Sequence, residues 1–471
     1  MTLGRWFRIP RQRRQPYLAL SITVLLVLLV VKPLLGPSYS QPPRHFRALE
    51  QRCEGWPESK AGCANPFGEK VFISISLYDG GGRLAGGPWG EALLALIHLI
   101  GPDNVFLSIY ESDSGPEGGG ALESLKNRLS CRHSVVSEQQ ASLDGLPSVR
   151  LPDGSMRIKR IAFLAAMRNR ALRPLDTFAA GDTRYDKVLF MNDVIYRPMD
   201  AAQLLFSTNL GHDGRTRYLT ACGLDYLNPA VYYDTFATRD SEGYSIGVPL
   251  FPIFTRSGKA GSRAAMLAGK DVVPVKSCWG GIVAADARHI QNTNGSLEAV
   301  DFTIDPANPK SVTAPVRFRH EPELFLDACE CCLFLADLAH VAKQESISPD
   351  ETGVFVNPHV RVAYQHEKLA WVDWLRKWER LFALPQAMLS PLIPLPRRNP
   401  YRPVQEGQDF EEEIWVGEGD AGRWELVPRK GRTGLFCSIR SMQVIRTRDE
   451  TNTKNWEGLA LPPGQTLPFP K

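Results

Sequence analysis

The chain has 471 residues, 43% hydrophobic and 23% charged, a balance that fits a folded globular protein and excludes a disordered or fibrous one. Its formal charge of +4 is concentrated at one end, where the first sixteen residues hold Arg5, Arg8, Arg11, Arg13 and Arg14 and no acid. The remainder is close to neutral and lacks the concentrated basic surface that phosphate-backbone binding needs, so nucleic acid is excluded as a partner.

After this basic tail (1–16), the apolar run from Tyr17 to Val31 continues past Lys32 and Pro33 to Leu35, about the twenty residues a bilayer core requires. The flanking charge is asymmetric, which predicts a type II signal anchor over 17–35, with the N-terminus cytosolic and the rest lumenal. The alternative is a cleaved signal peptide, for which the run is long and a small-x-small cleavage pattern is not evident. All nine cysteines lie beyond this segment, where disulfides are permitted, and the odd total leaves at least one thiol free or shared between chains. Cys53 and Cys63 form the easiest pair to imagine bridged. Cys329, Cys331 and Cys332 lack a second ligand pair at zinc spacing and read as buried helix cysteines rather than a metal site. One glycosylation sequon, Asn294-Gly295-Ser296, lies in a polar stretch.

Residues 36–67 are rich in Pro, Gly, Ser and charge and are expected to form a stem without a compact core. The main domain, 68–384, opens with a predicted strand over Lys70–Leu77 that empties into Tyr78-Asp79-Gly80-Gly81-Gly82. Next come a helix over Trp89–Ile100, a strand over Val105–Tyr110, a helix over Ala121–Leu129, a helix over Arg157–Leu172 and a strand over Lys187–Met191. Further strands fall near Tyr218–Cys222 and Val273–Lys276. A long helix covers Glu323–Val341, and Val354–Asn357 with Val360–Tyr364 reads as a late hairpin or a pair of edge strands. Alternating strands and helices predict an α/β fold with a mostly parallel sheet flanked by helices, and ligands in such sheets bind at the carboxyl ends of the strands. Residues 385–471 read as a largely irregular extension.

The sharpest local signal is Lys187 to Val194, an apolar strand that ends in Asn192-Asp193. A carboxylate where a strand stops points into the crevice above the sheet and can hold a divalent cation, although the dipeptide alone also suits a turn. The helix ending near Arg168-Asn169 also carries Arg157, Lys159 and Arg160; guanidinium groups match diphosphate oxygens, while a solvated helix face is the alternative for Arg157 and Lys159. Trp279-Gly280-Gly281 sets a flat ring beside two residues that allow close approach to backbone, an arrangement also found in cores. Glu330, deep in an apolar helix, and Asp225, after a strand, are candidate catalytic carboxylates, with salt bridges to Arg317 or Arg319 as the alternative.

Seven segments, taken in order, resemble the fungal capsule-associated α-1,3-mannosyltransferase family of the cryptococcal type: Ile73–Tyr78, Ser108–Ser112, Arg168–Leu172, Phe190–Val194, Ala221–Tyr226, Ser277–Gly281 and Asn357–Tyr364. The resemblance implies a glycosyltransferase A-type fold, a manganese-like ion, GDP-mannose as donor and retention of anomeric configuration; behind the predicted N-terminal transmembrane helix this gives a Golgi-type enzyme with a glycan acceptor. Carried onto this chain, it places the metal at Asp193, with His359 as a further ligand. Ser76, Tyr78, Arg168, Asn169, Asn192, Trp279, Gly280 and Gly281 then line the donor site, and Glu330 and Asp225 act on the sugars. Asp79 is a further donor contact. Met191 stands where many A-fold enzymes have a first aspartate, which keeps open a non-catalytic relative that binds or scaffolds glycan during polysaccharide assembly or export.

Overall fold

Val71–Leu77 reads V-F-I-S-I-S-L, a β-rich run buried on both faces apart from the half-buried Ser76, and it forms an interior strand of a ten-stranded sheet. The structure, a computed structural model, describes residues 35–55, 60–138, 143, 145–177, 183–292, 312–345, 353–392, 401–417, 422–446 and 456–464. The basic tail, the predicted anchor up to Leu34 and the sequon at Asn294 lie outside the described residues. No helix among the described residues is long and apolar enough to cross a membrane.

The strands are β1 (Val71–Leu77), β2 (Val105–Ser112), β3 (Arg132–Glu138), β4 (Lys187–Met191), β5 (Thr220–Asn228), β6 (Val231–Tyr232), β7 (Arg239–Asp240), β8 (Val273–Ser277), β9 (Ile282–Asp286) and β10 (Val354–Ala363). They lie in the order β3-β2-β1-β4-β9-β5-β10-β8-β7, with β6 on β5. From β3 to β10 all run the same way except β9, which is antiparallel to both neighbours. That reversal pairs Ile282, the first residue of β9, with Met191, the last of β4, so the turn before β9 shares an edge with the carboxyl ends of the other strands.

The helices are α1 (Arg44–Arg52), α2 (Pro88–Ile100), α3 (Gly115–Lys126), α4 (Arg160–Thr177), α5 (Pro198–Ser207), α6 (Gly261–Leu267), α7 (Glu330–Gln344), α8 (His366–Arg376) and α9 (Ala383–Leu389). Alternation along the strands divides the core in two. Phe72, Val188 and Phe190 face α4 and α7, whereas Ile73, Ile75, Leu189 and Met191 face α2 and α5. The expected α/β architecture with helices on both faces is what the chain forms.

Several boundaries differ from the sequence pattern. Met156–Ile158 pairs as a strand with Ser148–Arg150, so α4 starts only at Arg160. Asp327–Ala328 pairs with Ser438–Ile439, which delays α7 from the predicted Glu323 to Glu330. The expected late hairpin is one interior strand, β10, whose irregularity between Val356 and Arg361 accommodates Pro358. The predicted stem is not coreless: Tyr39, Phe46 and Leu49 are buried and a Cys53–Cys63 disulfide closes its end.

The C-terminal extension is also ordered into structure. Its hairpin, β11 (Asp409–Val416) with β12 (Arg423–Lys430), leads to a clasp in which Arg432 reaches Glu321 at 2.9 Å and Glu412 at 3.0 Å. Lys159 is buried beside Asp327 at 3.2 Å and donates to the carbonyls of Glu321, Glu323 and Leu326. A Cys332–Cys437 disulfide ties the clasp to α7, so Cys332 is bridged, while Cys329 and Cys331 remain buried thiols.

Candidate active site

β4 is buried along its whole length, and its chain emerges at the sheet edge as Asn192-Asp193. The Asn192 backbone N–H donates to the Gly281 carbonyl at 2.9 Å. Its side-chain oxygen accepts from the Trp279 indole at 3.1 Å and from Arg168 at 3.2 Å. Gly280 and Gly281 have φ of +57° and +71°, and both are also confined by neighbours. A Cβ on Gly280 would collide with the Gly223 carbonyl, and one on Gly281 would lie 2.8 Å from Val194 Cγ1. The Cys222–Cys278 disulfide fastens this turn to β5. It thereby fixes Trp279, which is only 3% exposed and packs on Phe190 and Phe318. The indole is therefore the floor of the site and not an open sugar platform: its accessible partner is the Arg168 guanidinium, 4.7 Å above the ring.

Arg168 is the hub. It donates to Glu330 at 3.1 Å as well as to Asn192, and burial is more than offset by nearby negative charge, so its pKa is raised. Glu330 opens α7 and is buried, with the Cys329 and Cys331 sulfurs 3.8 and 3.5 Å from its carboxylate. These three side chains are close enough to share a metal, but a guanidinium already pairs with the carboxylate, which argues against a second cation there. The anticipated alternatives pair elsewhere: Arg317 with Asp176, and Arg319 with Asp337 at 2.6 Å.

A second pair of carboxylates adjoins the hub. Asp234 accepts from the backbone of Gly280 and Ala237, both at 3.1 Å, and its own N–H donates to Asp225 at 3.0 Å. Tyr364, directly after β10, donates its hydroxyl to the other Asp225 oxygen at 2.8 Å. Burial, followed by the like charge of Asp234, pushes Asp225 up to about 7. Asp234 is raised too, by burial first, with Glu330 adding to it and Arg168 opposing it. Sequence reasoning missed Asp234 and Tyr364. Asp234 sits in Tyr232-Tyr233-Asp234 with no strand-end pattern to mark it, and in the sequence Tyr364 is only the last residue of the Asn357–Tyr364 segment.

Asp193 is solvent-accessible at the mouth, yet protein crowds it on the other sides, so desolvation raises its pKa, with Arg168 opposing and Asp79 adding to the shift. No side chain donates a hydrogen bond to its carboxylate among the described residues, so its oxygens are available to a cation that prefers oxygen ligands. The other predicted metal ligand is elsewhere. The His359 ring packs edge-on against Tyr39 at 4.8 Å and Phe46 at 5.4 Å. Burial, then Arg376 and Arg361, push it down to about 3. The residue of this region that reaches the crevice is Tyr364.

The remaining donor-site candidates divide. Ser76 is half-buried at the end of β1 and Tyr78 is exposed beyond it. Asp79 turns inward to accept from the Leu84 and Ala85 N–H groups, shaping the glycine loop. Asn169 spends its amide on the Phe318 backbone, donating at 2.8 Å and accepting at 2.9 Å, and so anchors that segment to α4. Arg157 and Arg160 bind the C-terminal region through Glu457 and Gln443. A depression of about 320 Å³, lined by Glu69, Asp186, Arg215 and Arg288 among others, lies at the opposite end of β4 and contains none of the predicted site residues.

Residues 70–337, more than half of the chain, match the family model described as Cryptococcal mannosyltransferase 1. The protein thus belongs to a glycosyltransferase family. That family is the cryptococcal mannosyltransferase family, as the ordered segments of the sequence suggest. No curated protein matches the chain. Among solved structures, mannosyltransferase PcManGT from Pyrobaculum calidifontis in complex with GDP-Man and Mn2+ is 12% identical, with 79% of this chain and 78% of that one covered and a TM-score of 0.31. Mannosyl-3-phosphoglycerate synthase from Rubrobacter xylanophilus is 14% identical, with 84% and 98% covered and a TM-score of 0.29.

Proposed function

We propose that this protein is a membrane-anchored mannosyltransferase that moves mannose from GDP-mannose to a mannose-containing glycan, forming an α-1,3 linkage with retention of configuration, in the Golgi lumen. The observation that carries the reading is the strand-end crevice in which Arg168, held by Glu330, Asn192 and Trp279, stands beside the unpaired Asp193 carboxylate in a chain of this family. An arginine fixed at three points is suited to clamp diphosphate oxygens with little loss of side-chain freedom.

A manganese-like ion fits Asp193 as its charged protein ligand, because among the described residues no side chain hydrogen-bonds or ion-pairs with its carboxylate, and a hard cation prefers oxygen ligands. When bound, the ion supplies neutralisation of charge on the departing diphosphate. The chain's own residues do the rest. Arg168 holds the diphosphate, while Asp193 would hold the ion, so that the bond from sugar C1 to phosphate oxygen breaks as the acceptor hydroxyl oxygen bonds to C1. The hydroxyl proton passes to the departing phosphate, so no protein base is required. Glu330 keeps Arg168 in place, and the Asp225–Asp234–Tyr364 group lines the wall nearest the sugars.

The test is GDP release by the full-length protein given GDP-mannose and a mannoside, with and without manganese. Turnover should require the metal and fall by about 10²–10³-fold in Asp193→Ala, the scale expected when one charge-stabilising group is removed. Absence of turnover together with absence of calorimetric GDP-mannose binding would overturn the enzyme reading.

A further inference from the structure

Among the described residues, seventeen large hydrophobic side chains are exposed, and seven of them fall within residues 371–392. α8 buries Leu369 and Val372 against the domain and turns Trp371 and Trp374 outward, with Trp378 just beyond its end. The three indoles touch in sequence, at 5.8 Å and 6.5 Å between ring centroids, and so form one continuous surface. Leu384 and Met388 on α9 and Leu392 after it extend the exposed apolar run; Met388 and Leu392 are 62% and 76% exposed. Isolated exposed apolar residues are ordinary, but a cluster of this size marks a docking surface.

The position of the residues that follow the predicted anchor identifies what docks there. Leu35, the last residue of the apolar segment 17–35, is 82% exposed. Two residues later the Pro37 carbonyl accepts from Arg380 at 2.7 Å, and a Cβ on Gly36 would lie 2.5 Å from the same guanidinium. Arg380 stands between Trp378 and Leu384, and also holds the Leu267 carbonyl at 2.8 Å. The exit of the predicted anchor is therefore pinned against the middle of the apolar run. Tryptophan is the residue that prefers the headgroup level, where its ring is apolar and its N–H wet, and the exposed Lys377 beside Trp378 can place its ammonium among phosphates.

The geometry points to a lipid-bilayer interface as the occupant of this face: Trp371, Trp374 and Trp378, with Leu384, Met388 and Leu392, seat the domain on the same membrane that holds 17–35. This rests on the anchored reading above. Because α8 begins two residues after Tyr364, the seating also sets the height of the crevice above the lipid surface. The domain does not swing freely on a flexible stem.

The experiment is tryptophan quenching in full-length protein reconstituted into phosphatidylcholine vesicles with dibrominated acyl chains, beside Trp371→Phe/Trp374→Phe/Trp378→Phe in the same vesicles. Phenylalanine at exposed positions leaves the fold intact, which near-ultraviolet circular dichroism checks. Brominated lipid should quench a clear fraction of wild-type emission, and the triple variant should lose most of that fraction. Hydrogen exchange of 366–392 should slow in vesicles relative to detergent. Unchanged quenching in the triple variant, while the protein still floats with the vesicles, overturns the seating and leaves the anchor standing. Failure of the protein to float overturns the anchor itself. Protection of 366–392 in detergent that rises with protein concentration assigns the face to a second copy and also overturns the proposal.

Discussion

Two groups of buried charge flank α7 and behave in opposite ways. In the C-terminal clasp, burial alone would raise the pKa of Glu321, yet Arg432 and Arg319 outweigh it and the net shift is downward. In the crevice, Asp225 is equally buried and is pushed up to about 7, with the like charge of Asp234 adding to desolvation and no arginine paired with it. Counter-charge distinguishes them. Glu321 has Arg432 at 2.9 Å and Arg319 at 3.8 Å, whereas Asp225, Asp234 and Glu330, with Asp193 exposed at their mouth, have one ion-pairing cation, Arg168, among the described residues. A balanced cluster is closed and holds the fold together. A cluster in deficit of positive charge suits the cationic ligand and sugar hydroxyls of the proposed function, since carboxylates with raised pKa values concentrate at functional sites.

The largest effect should come from breaking the balanced cluster. Arg432→Ala leaves Glu321 and Glu412 buried without their shared partner, and the expected loss is about 3–5 kcal/mol of stability. Urea denaturation should show it, with the activity of the remaining folded fraction little changed. Arg168→Ala reverses the pattern: kcat/KM should fall by about 10²-fold or more, while the stability loss stays below that of Arg432→Ala. Equal stability losses with unchanged kcat/KM for Arg168→Ala would erase the distinction between the two clusters.

A smaller, pH-dependent effect should sharpen it. The folded state holds the Asp225 proton more tightly than the unfolded chain, so this group's contribution is lost as pH rises from the ordinary carboxylate value of 3.8 through about 7. Asp225→Asn, which imitates the protonated form, should gain stability relative to wild type across that window and keep a constant advantage above it. The measurement is the difference in urea midpoint between the two proteins at pH 5 and pH 8; a difference that does not grow with pH would show Asp225 to be ionised throughout.

Much of the frame was legible because it depends on local pattern. β4 occupies Lys187–Met191 as its apolar run predicts, and Asn192-Asp193 stands at its end because a buried strand must surface there. What the sequence hid is contact between distant segments. Arg432 meets Glu321 across 111 residues, and nothing near either marks the other. The Cys222–Cys278 and Cys332–Cys437 bridges, at separations of 56 and 105, follow from how distant segments pack together and not from spacing. Asp234 enters the site through a backbone bond to Gly280, which exists only because β9 runs backwards beside β5. Trp279 lies beneath Arg168 with its ring closed off, a matter of packing that a Trp-Gly-Gly pattern leaves open.

The smallest expected effect separates His359 from Tyr364, two residues on one stretch of chain. A pKa pushed down to about 3 leaves His359 neutral at every working pH, and a neutral imidazole is a competent metal ligand, so titration does not decide its role. Geometry does: the ring lies between Tyr39 and Phe46, in the packing that holds the 36–67 segment to the domain. His359→Phe should therefore keep the manganese dependence of turnover within about twofold, at a stability cost of about 1–3 kcal/mol for fitting a larger ring into a packed site. Tyr364→Phe, which removes the hydrogen bond to Asp225, should leave manganese activation similar and shift the pH at which Asp225 titrates upward, since the donated bond stabilises the charged form. A weakened manganese response in His359→Phe would place the histidine on the metal and remove it from the aromatic packing described here.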